Sequence, residues 1–220
     1  GWEAYPTSLR LMSWSVYFIA VHQRELSNDE AFSNILSQSI LTQAVWLEKN
    51  LEYHLMANHL LENAAALLMA GSLFNGNLTE RWKKTGSKIL DQEVREQILP
   101  DGMHFERSPM YHLRIFNVLK ETRLLLKSNE ENHLKPILRS MEKALDLVRH
   151  SYGDIALLND SNLGVYPLPL SSDNSFSPIP GPWKLPDAGY YGYRGSEGEY
   201  IIFDAGPIGP DYNPGHSHGD

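Results

Sequence analysis

Residues 58–74 read NHLLENAAALLMAGSLF, and this stretch decides the fold that the sequence predicts. After Glu62 it is apolar on nearly every side of a helix, which is typical of an inner helix covered by other helices. Five more segments with helical periodicity occur in the first 150 residues, at about 6–26, 28–50, 78–99, 109–128 and 130–150. Exposed and more buried segments alternate, which favours a ring or solenoid of helical hairpins over a four-helix bundle.

Three local signals refine the helix assignments. In the first segment, Pro6 and Thr7 are start signals, and an apolar stripe is predicted at Leu9, Met12, Val16 and Ile19. Asn28 is the predicted cap of the second helix. Pro136 requires the sixth helix to begin near Asn132 or Leu134.

The pattern changes at about Ser151. Residues 151–187 hold six of the 13 prolines and read as a linker, so the helical domain is predicted to span residues 1–150. Residues 189–195 (GYYGYRG) and 199–206 (EYIIFDAG) are short β-type runs that predict an antiparallel hairpin. They would begin a β domain at about residue 188. Because a few strands cannot bury a core, the rest of that domain is expected beyond Asp220.

Composition narrows the class of protein. The 220 residues are 42% hydrophobic, contain no cysteine, and carry 19 Lys plus Arg against 27 Asp plus Glu. The absence of cysteine excludes disulfides and thiolate metal sites, and the net charge of −8 argues against nucleic-acid binding through a broad basic face. No apolar run is long enough to span a membrane. The start lacks the order of a signal peptide, and a chain that opens on Gly1 is expected to be a fragment.

The inner helix begins with four polar residues, Asn58, His59, Glu62 and Asn63. Spacings of three and four place some of them on one face, and burying them is costly unless each is hydrogen-bonded. They are therefore candidate site residues. The alternative is that Asn58 caps the helix while His59 and Glu62 pair with a neighbouring helix.

Two loops supply further candidates. Residues 99–112 (LPDGMHFERSPMYH) contain His104, Glu106, Arg107, Tyr111 and His112, more titratable groups than a connection needs. The alternative is a solvated loop in which Arg107 pairs with an acidic neighbour. In residues 157–164 (LLNDSNLG), Asp160, Ser161 and Asn162 could line a cleft between domains, but an Asx-turn explains them and is the favoured interpretation.

The chain closes on residues 210–220, PDYNPGHSHGD. In an extended segment, His216 and His218 face the same side and could bind a metal such as Zn²⁺ or Mn²⁺. Two histidines are too few for a closed site, so another ligand would have to come from elsewhere. A pair of polar loop histidines is the alternative.

Four phrases in this order carry a resemblance to a known family. They are YPTSLRLMSW (5–14), NHLLENAAALLMAG (58–71), LPDGMHFERSPMYH (99–112) and GPDYNPGHSHGD (209–220). Together they resemble the heparinase II/III-like polysaccharide lyases. The resemblance implies an incomplete N-terminal α/α toroid, followed by the start of an antiparallel β-sandwich. It also implies β-elimination at a uronic-acid glycosidic bond of a polysaccharide.

The resemblance assigns roles to the candidate residues. Asn58 and His59 correspond to the groups that bind the substrate carboxylate, and Glu62 to an acidic residue beside them. Tyr111 resembles the family's acid/base tyrosine, and His216 its partner base. A tyrosine acting as a base near neutrality needs a lowered pKa, which Arg107 or a nearby imidazolium could provide. Further substrate contacts are expected from Arg107, His104, Asn63 and Arg10.

His218 resembles a ligand of a structural divalent metal (Zn, Mn or Ca) in the β domain, with its other ligands beyond this chain. Asp220 would then be a hydrogen-bond partner of that histidine. The metal is expected to be absent from the fragment, and no organic cofactor is expected.

Two rival functions remain open from the sequence. One is a metal-dependent polysaccharide hydrolase in which His216 and His218 both bind metal and Glu62 activates water. The other is a carbohydrate-binding protein without turnover. The expected partner is an acidic polysaccharide, sparsely charged rather than heparin-like because Lys and Arg are fewer than Asp and Glu. Oligomeric state stays open, as does location: periplasm or cell surface for a degradative enzyme, cytoplasm for a biosynthetic one.

Overall fold

The computed structural model describes residues 1–22, 29–126, 133–168 and 179–212. In this part of the chain, all six helices precede residue 150 and all three strands follow residue 180, so the predicted helix-then-strand order is confirmed. The helices are α1 (Ala4–His22), α2 (Glu30–Glu48), α3 (Ala57–Leu73), α4 (Asn77–Gln97), α5 (Pro109–Leu125) and α6 (Leu134–Leu147). The strands are β1 (Gly181–Leu185), β2 (Tyr190–Arg194) and β3 (Tyr200–Asp204).

The chain divides into two compact units, of which the first holds residues 1–94 and 118–131. Within it, α1, α2 and α3 pack against one another. Almost the whole of α3 is buried, from Ala57 to Gly71. The prediction of an inner helix at residues 58–74 is therefore confirmed. Its polar residues share this interior, because Glu62 and Asn63 have no exposed surface.

The second unit holds residues 95–117 and 132–220 and contains α6 and the sheet. The sheet is antiparallel with the order β1-β2-β3. Arg194 of β2 anchors it to the end of α6, because its Nη2 donates to the carbonyl oxygens of Asp146 and Arg149 at 2.5 and 2.6 Å. The Tyr200 hydroxyl of β3 donates to Leu147 O at 2.9 Å. These bonds cap carbonyl groups that a helix end leaves without internal partners.

Strands β2 and β3 form the predicted hairpin, with Tyr190 opposite Asp204 and Arg194 opposite Tyr200. Strand β1 was not predicted, because it lies inside residues 151–187, which the composition assigns to the linker. Its proline, Pro182, faces the exposed side, while Trp183 and Leu185 point to the more buried side. The position of the domain boundary stays a prediction.

Three local predictions have different outcomes. The α1 stripe is wrong at Val16 and Ile19, which are exposed, whereas Leu11 and Met12 are buried. The cap of α2 is Asp29 rather than Asn28, since Asp29 Oδ1 accepts the Phe32 N–H at 2.9 Å. Asn28 itself lies outside the described residues. Helix α6 begins at Leu134, as Pro136 requires.

No helix in the described ranges is both long and apolar enough to cross a membrane.

Close packing of α4 on α3 generates a test of the fold. A Cβ atom at Gly86 would lie 2.7 Å from Ala64 O and 2.9 Å from Leu68 N. An alanine normally stabilises a helix relative to glycine, but here overpacking against backbone outweighs that gain. We expect Gly86→Ala to destabilise the protein by about 1–3 kcal/mol, measured by thermal unfolding. Ser87→Ala on the same helix is the control and should change stability by less than about 0.5 kcal/mol.

Candidate active site

Helix α3 begins on a strained backbone. Met56 precedes the helix with φ of 55°, and Ala57, its first residue, has φ of 50°. Both values lie in the left-handed region, which costs free energy for residues other than glycine. The helix has no side-chain cap, so the interpretation of Asn58 as the cap is wrong. Asn58 lies inside the first turn, only 5% exposed, and its side chain makes no hydrogen bond among the described residues.

Asn63 holds the turn before α3 in place. Its Oδ1 accepts the backbone N–H of Glu52 at 2.9 Å, and its Nδ2 donates to Glu52 Oε2 at 3.0 Å. The same Nδ2 also donates to Ser8 Oγ of α1 at 3.0 Å. Asn63 is therefore a buried connection between α1, α3 and the turn, and its predicted contact with substrate stays a prediction.

His59 lies between a carboxylate and an aromatic ring. Its Nδ1 is 3.4 Å from Glu52 Oε1. The Tyr5 ring stacks on the imidazole, with centroids 4.3 Å apart and planes 24° apart. The Tyr5 hydroxyl donates to Glu62 Oε1 at 3.3 Å. The carboxylate that faces His59 Nδ1 is thus Glu52, which the sequence analysis did not single out.

Arg10 lies on α1, whose Tyr5 and Ser8 reach the polar residues of α3. Its Nε donates to Gln43 Oε1 at 2.9 Å, and its Nη2 donates to Thr7 Oγ1 at 3.0 Å. These bonds tie the guanidinium to α2 and to its own helix. The predicted role of Arg10 in substrate binding stays a prediction.

In the second unit, two histidines stabilise the loop before α5. The His104 N–H donates to His112 Nδ1 at 3.1 Å, and His112 Nε2 donates to Met141 O at 2.9 Å. Since Nδ1 accepts and Nε2 donates, His112 is the neutral tautomer, and burial lowers its pKa to about 4. His104 has no exposed surface, and its Nε2 lies 3.1 Å from Gln97 Oε1. Substrate binding by His104 stays a prediction.

Arg107 is turned toward the backbone. It has φ of 56°, its Nε donates to Ala188 O at 3.2 Å, and its Nη1 donates to Phe105 O at 3.1 Å. Its own carbonyl accepts hydrogen bonds from Asn159 Nδ2 at 2.8 Å and from the Tyr190 hydroxyl. Arg107 thereby ties the loop to the β1–β2 turn, and its predicted contact with substrate is not tested.

Tyr111, in the first turn of α5, has an acidic environment. Burial raises the pKa of its hydroxyl to about 12, and the nearby charges of Asp160, Glu106 and Tyr166, with a hydrogen bond to the Asp160 side chain, add to that rise. The expectation that Arg107 lowers this pKa is therefore wrong, and lowering by the imidazolium of His216, which lies outside the described residues, stays a prediction. At neutral pH the Tyr111 hydroxyl keeps its proton.

Asp160 is a neighbour of Tyr111 that the sequence pattern assigned to a turn rather than to the site. Ser108 Oγ donates to Asp160 O at 2.9 Å, and Ser161 Oγ accepts the Met110 N–H at 3.1 Å. These bonds hold residues 160–161 against the start of α5. No local signal could have revealed this, because an Asx-turn accounts for the same residues.

Glu106 adds a second carboxyl group to this cluster. It is 1% exposed, and burial, followed by the charge of Asp160, raises its pKa to about 7. Glu106, Tyr111 and Asp160 together form an acidic cluster, in which the pKa values of Glu106 and Tyr111 are raised. Such shifted groups are typical of sites that handle protons.

Comparison with known proteins shows the family of the chain. Residues 1–160 match the family described as Heparinase II/III N-terminus. The chain belongs to this heparinase II/III family. It is similar to the heparin-sulfate lyase of Pedobacter heparinus, with 31% identity over 112 residues that cover 46% of this chain and 17% of that protein. It is 34% identical over 101 residues to the heparin-sulfate lyase of Bacteroides thetaiotaomicron, covering 44% and 14%.

Solved structures of the family show the fold. The crystal structure of heparan sulfate lyase from Pedobacter heparinus superposes with a TM-score of 0.68 at 22% identity, covering 98% of this chain and 38% of that one. A heparinase III structure gives a TM-score of 0.68 at 20% identity, covering 96% and 37%. The expected fold class, a mainly α region of the α/α toroid type followed by antiparallel strands, is confirmed. The chain spans less than two fifths of the length of these relatives.

Strained backbone positions lie close in sequence to the candidate site residues. In the described ranges, four residues other than glycine have positive φ, namely Met56, Ala57, Arg107 and Asn159. Each lies within four residues of Asn58, His59, Tyr111 or Asp160 in sequence. Strained positions of this kind cluster at functional sites, because the surrounding structure must hold them against their cost.

The two C-terminal histidines, His216 and His218, lie outside the described residues, as does Asp220. Within residues 1–22, 29–126, 133–168 and 179–212, no group of three or more His, Cys, Asp or Glu side chains could hold a metal ion. The structure brings together Asn58, His59, Glu62 and Asn63 in one unit and His104, Arg107 and Tyr111 in the other. That Tyr111 and His59 face a common cleft stays a prediction.

The acidic cluster generates a titration test. Asp160→Asn is expected to lower the pKa of Tyr111 from about 12 part of the way toward 10.0, because the phenolate is the charged form and loses an adjacent negative charge. The fall is partial because burial, the largest cause, remains. Ultraviolet difference titration against Tyr111→Phe isolates this hydroxyl.

Ser161→Ala is the control for that titration, since it removes a neighbouring hydroxyl that bonds the Met110 N–H but carries no charge. The Tyr111 titration should be the same in this variant as in the native protein. An unchanged titration in Asp160→Asn would contradict the assigned cause.

Proposed function

We propose that the intact protein is a polysaccharide lyase that cleaves a uronic-acid-containing polysaccharide by β-elimination. The observation that carries the proposal is the start of α3, where a buried amide and a partly exposed imidazole follow a strained turn. Asn58 and His59 lie in the first turn, at the positive end of the helix dipole, which favours an anionic group. Membership of the heparinase II/III family supports the same chemistry.

The difficult step is removal of the C5 proton, which is weakly acidic because the neighbouring carboxylate already carries negative charge. Hydrogen bonds from the Asn58 amide and the His59 imidazole to that carboxylate become stronger as enolate-like charge develops. Such bonds lower the barrier because they stabilise the transition state more than the bound substrate. We infer that these two residues bind the uronate carboxylate.

Tyr111 is inferred to be the general acid. Because its pKa is raised to about 12, its hydroxyl is protonated at neutral pH and can donate a proton. A base removes the C5 proton, the C5–H electrons form the C4=C5 double bond, and the C4–O4 bond breaks. The leaving O4 takes the Tyr111 proton. This differs from a mechanism in which a tyrosinate acts as the base, for which the pKa would have to be lowered.

His216 is proposed as the base for C5, and His218 as a ligand of a structural divalent metal. Both assignments rest on the resemblance of residues 209–220 to the family's motif, since these two histidines lie outside the described residues. The described residues contain no group of three or more His, Cys, Asp or Glu side chains that could hold a metal ion. Glu62 is a further acidic group beside the proposed carboxylate binders, because the Tyr5 ring that stacks on His59 donates its hydroxyl to Glu62.

The charges favour a substrate with few sulfates. The leaving O4 would approach Tyr111, whose neighbours Asp160 and Glu106 are acidic. A sulfate near that oxygen would be repelled by these groups and would need additional cations. The chain has 19 Lys plus Arg against 27 Asp plus Glu. We therefore propose a sparsely sulfated uronate polymer. The similar proteins from Pedobacter heparinus are named as lyases of heparin-sulfate and heparan sulfate.

Tyr111→Phe in the intact protein tests the acid. We expect the rate of elimination to fall at least about 100-fold, because the general acid is lost and the ring is retained. The measurement is ultraviolet absorbance of the conjugated unsaturated uronate that elimination alone produces. The exposed Tyr152→Phe is the matched control and should keep its rate. Cleavage of the polymer without this absorbance would indicate a hydrolase, and binding without cleavage would indicate a carbohydrate-binding protein.

The two C-terminal histidines can be separated by single variants of the intact protein. His216→Ala is expected to cut turnover strongly with unchanged metal content, because a base only moves a proton. His218→Ala is expected to lower metal content and thermal stability, because metal bound to the folded state alone stabilises it. Metal analysis, kinetics and thermal unfolding are the measurements. Equal metal loss in both variants would contradict this division and favour a metal-dependent hydrolase.

A further inference from the structure

We propose that Glu52 is a positioning residue that holds the proton of His59 on Nδ1 and thereby presents the Nε2 edge of the ring to an anionic group. The proposal rests on the proposed function, in which His59 binds the substrate carboxylate. Glu52 is inferred to act through His59 rather than to touch the substrate. Its side chain is 11% exposed, against 35% for that of His59.

The direction of the Glu52 carboxylate is fixed by Asn63. The Glu52 backbone N–H donates to Asn63 Oδ1 at 2.9 Å, which determines which end of the Asn63 amide carries the oxygen. The NH₂ end of Asn63 therefore faces Glu52 Oε2 at 3.0 Å and Ser8 Oγ at 3.0 Å. With Oε2 held in this way, Oε1 is the oxygen that faces His59.

The imidazole is held in a matching orientation. Its Nδ1 is buried, makes no hydrogen bond among the described residues and lies within ion-pair range, 3.4 Å from Glu52 Oε1, although the side chain as a whole is 35% exposed. The exposed part of the ring is therefore the side away from Nδ1. The Tyr5 ring covers one face at 4.3 Å and limits rotation of the imidazole.

Hydrogen-bond chemistry then assigns the proton. A carboxylate accepts and cannot donate, so an imidazole nitrogen that faces it is favoured as N–H. In neutral His59 this places the proton on Nδ1 and the lone pair on Nε2. To donate a hydrogen bond to an anionic group, Nε2 must take up a proton from solvent, and the resulting imidazolium lies between two carboxylates that both stabilise its charge.

The test is the tautomer of His59, read from ¹⁵N side-chain spectra of the intact protein labelled at histidine. A His59→Asn variant identifies the signal by its loss. We expect neutral His59 in the native protein to carry its proton on Nδ1. A native His59 with the proton on Nε2 would overturn the proposal, and this result needs no variant of Glu52.

Glu52→Gln gives a second and sharper outcome. Because Asn63 must still donate to residue 52, the new amide oxygen takes the place of Oε2 and the new NH₂ group faces His59 Nδ1. His59 Nδ1 then has to accept, so the tautomer is expected to invert to Nε2–H. In the active enzyme, kcat/KM should fall about tenfold or more, because a neutral donor stabilises developing charge less than an imidazolium does.

Glu48→Gln is the matched control, since Glu48 is another Glu of the α2 region but pairs with Arg81 at 2.6 Å. It should leave the His59 tautomer and kcat/KM unchanged. An inverted tautomer with unchanged kcat/KM in Glu52→Gln would overturn the positioning role. If the native protein shows no lyase activity on any uronate polymer, the proposed function fails. The tautomer of native His59 still decides whether Glu52 holds the proton on Nδ1.

Discussion

Helix α3 is buried along almost its whole length, and this places a constraint on every polar side chain that it carries. A buried polar group without a partner costs free energy comparable to a lost hydrogen bond or more, so partners must come from neighbouring segments. Asn63 meets this constraint with three hydrogen bonds. It accepts one from the backbone N–H of Glu52, and it donates to the Glu52 carboxylate and to the Ser8 hydroxyl of α1. The packing of α1 on α3 and the conformation of the turn before α3 thus depend on one side chain.

The helix-then-strand order, the buried helix and the β2–β3 hairpin could be predicted because their signals are local. Periodicity and a change in proline content are read within a few residues. The α1 stripe was wrong at Val16 and Ile19 because apolar residues occur on several sides of that helix, and packing selects one side. Strand β1 was not predicted, because Pro182 and the glycine before it are typical of a linker.

The candidate site could be predicted only in part, for a similar reason. Tyr111, His59 and Asn58 stand in recognisable motifs, whereas the groups that tune them come from distant segments. Asp160 reaches Tyr111 from a loop whose sequence is explained by a turn alone. Arg107 is adjacent in sequence to this cluster and was expected to lower the pKa of Tyr111. The fold instead directs its guanidinium to backbone carbonyls, and burial of Tyr111, followed by the charges of Asp160 and Glu106, raises that pKa.

The separation between the proposed catalytic side chains and the groups that tune them explains where the backbone strain lies. The proposed catalytic side chains Asn58, His59 and Tyr111 stand on helices. Their tuning groups lie in the turns 51–56, 104–107 and 159–161, which must bend sharply to reach them. The positive φ values of Met56, Ala57, Arg107 and Asn159 fall at the ends of these turns. Each costs about 1–3 kcal/mol, and hydrogen bonds such as Asn159 Nδ2 to Arg107 O offset it. A variant that relaxes such a turn would therefore gain local backbone stability but lose the orientation of the tuning group. A stability–activity trade-off of this kind is expected where a strained backbone positions catalytic groups.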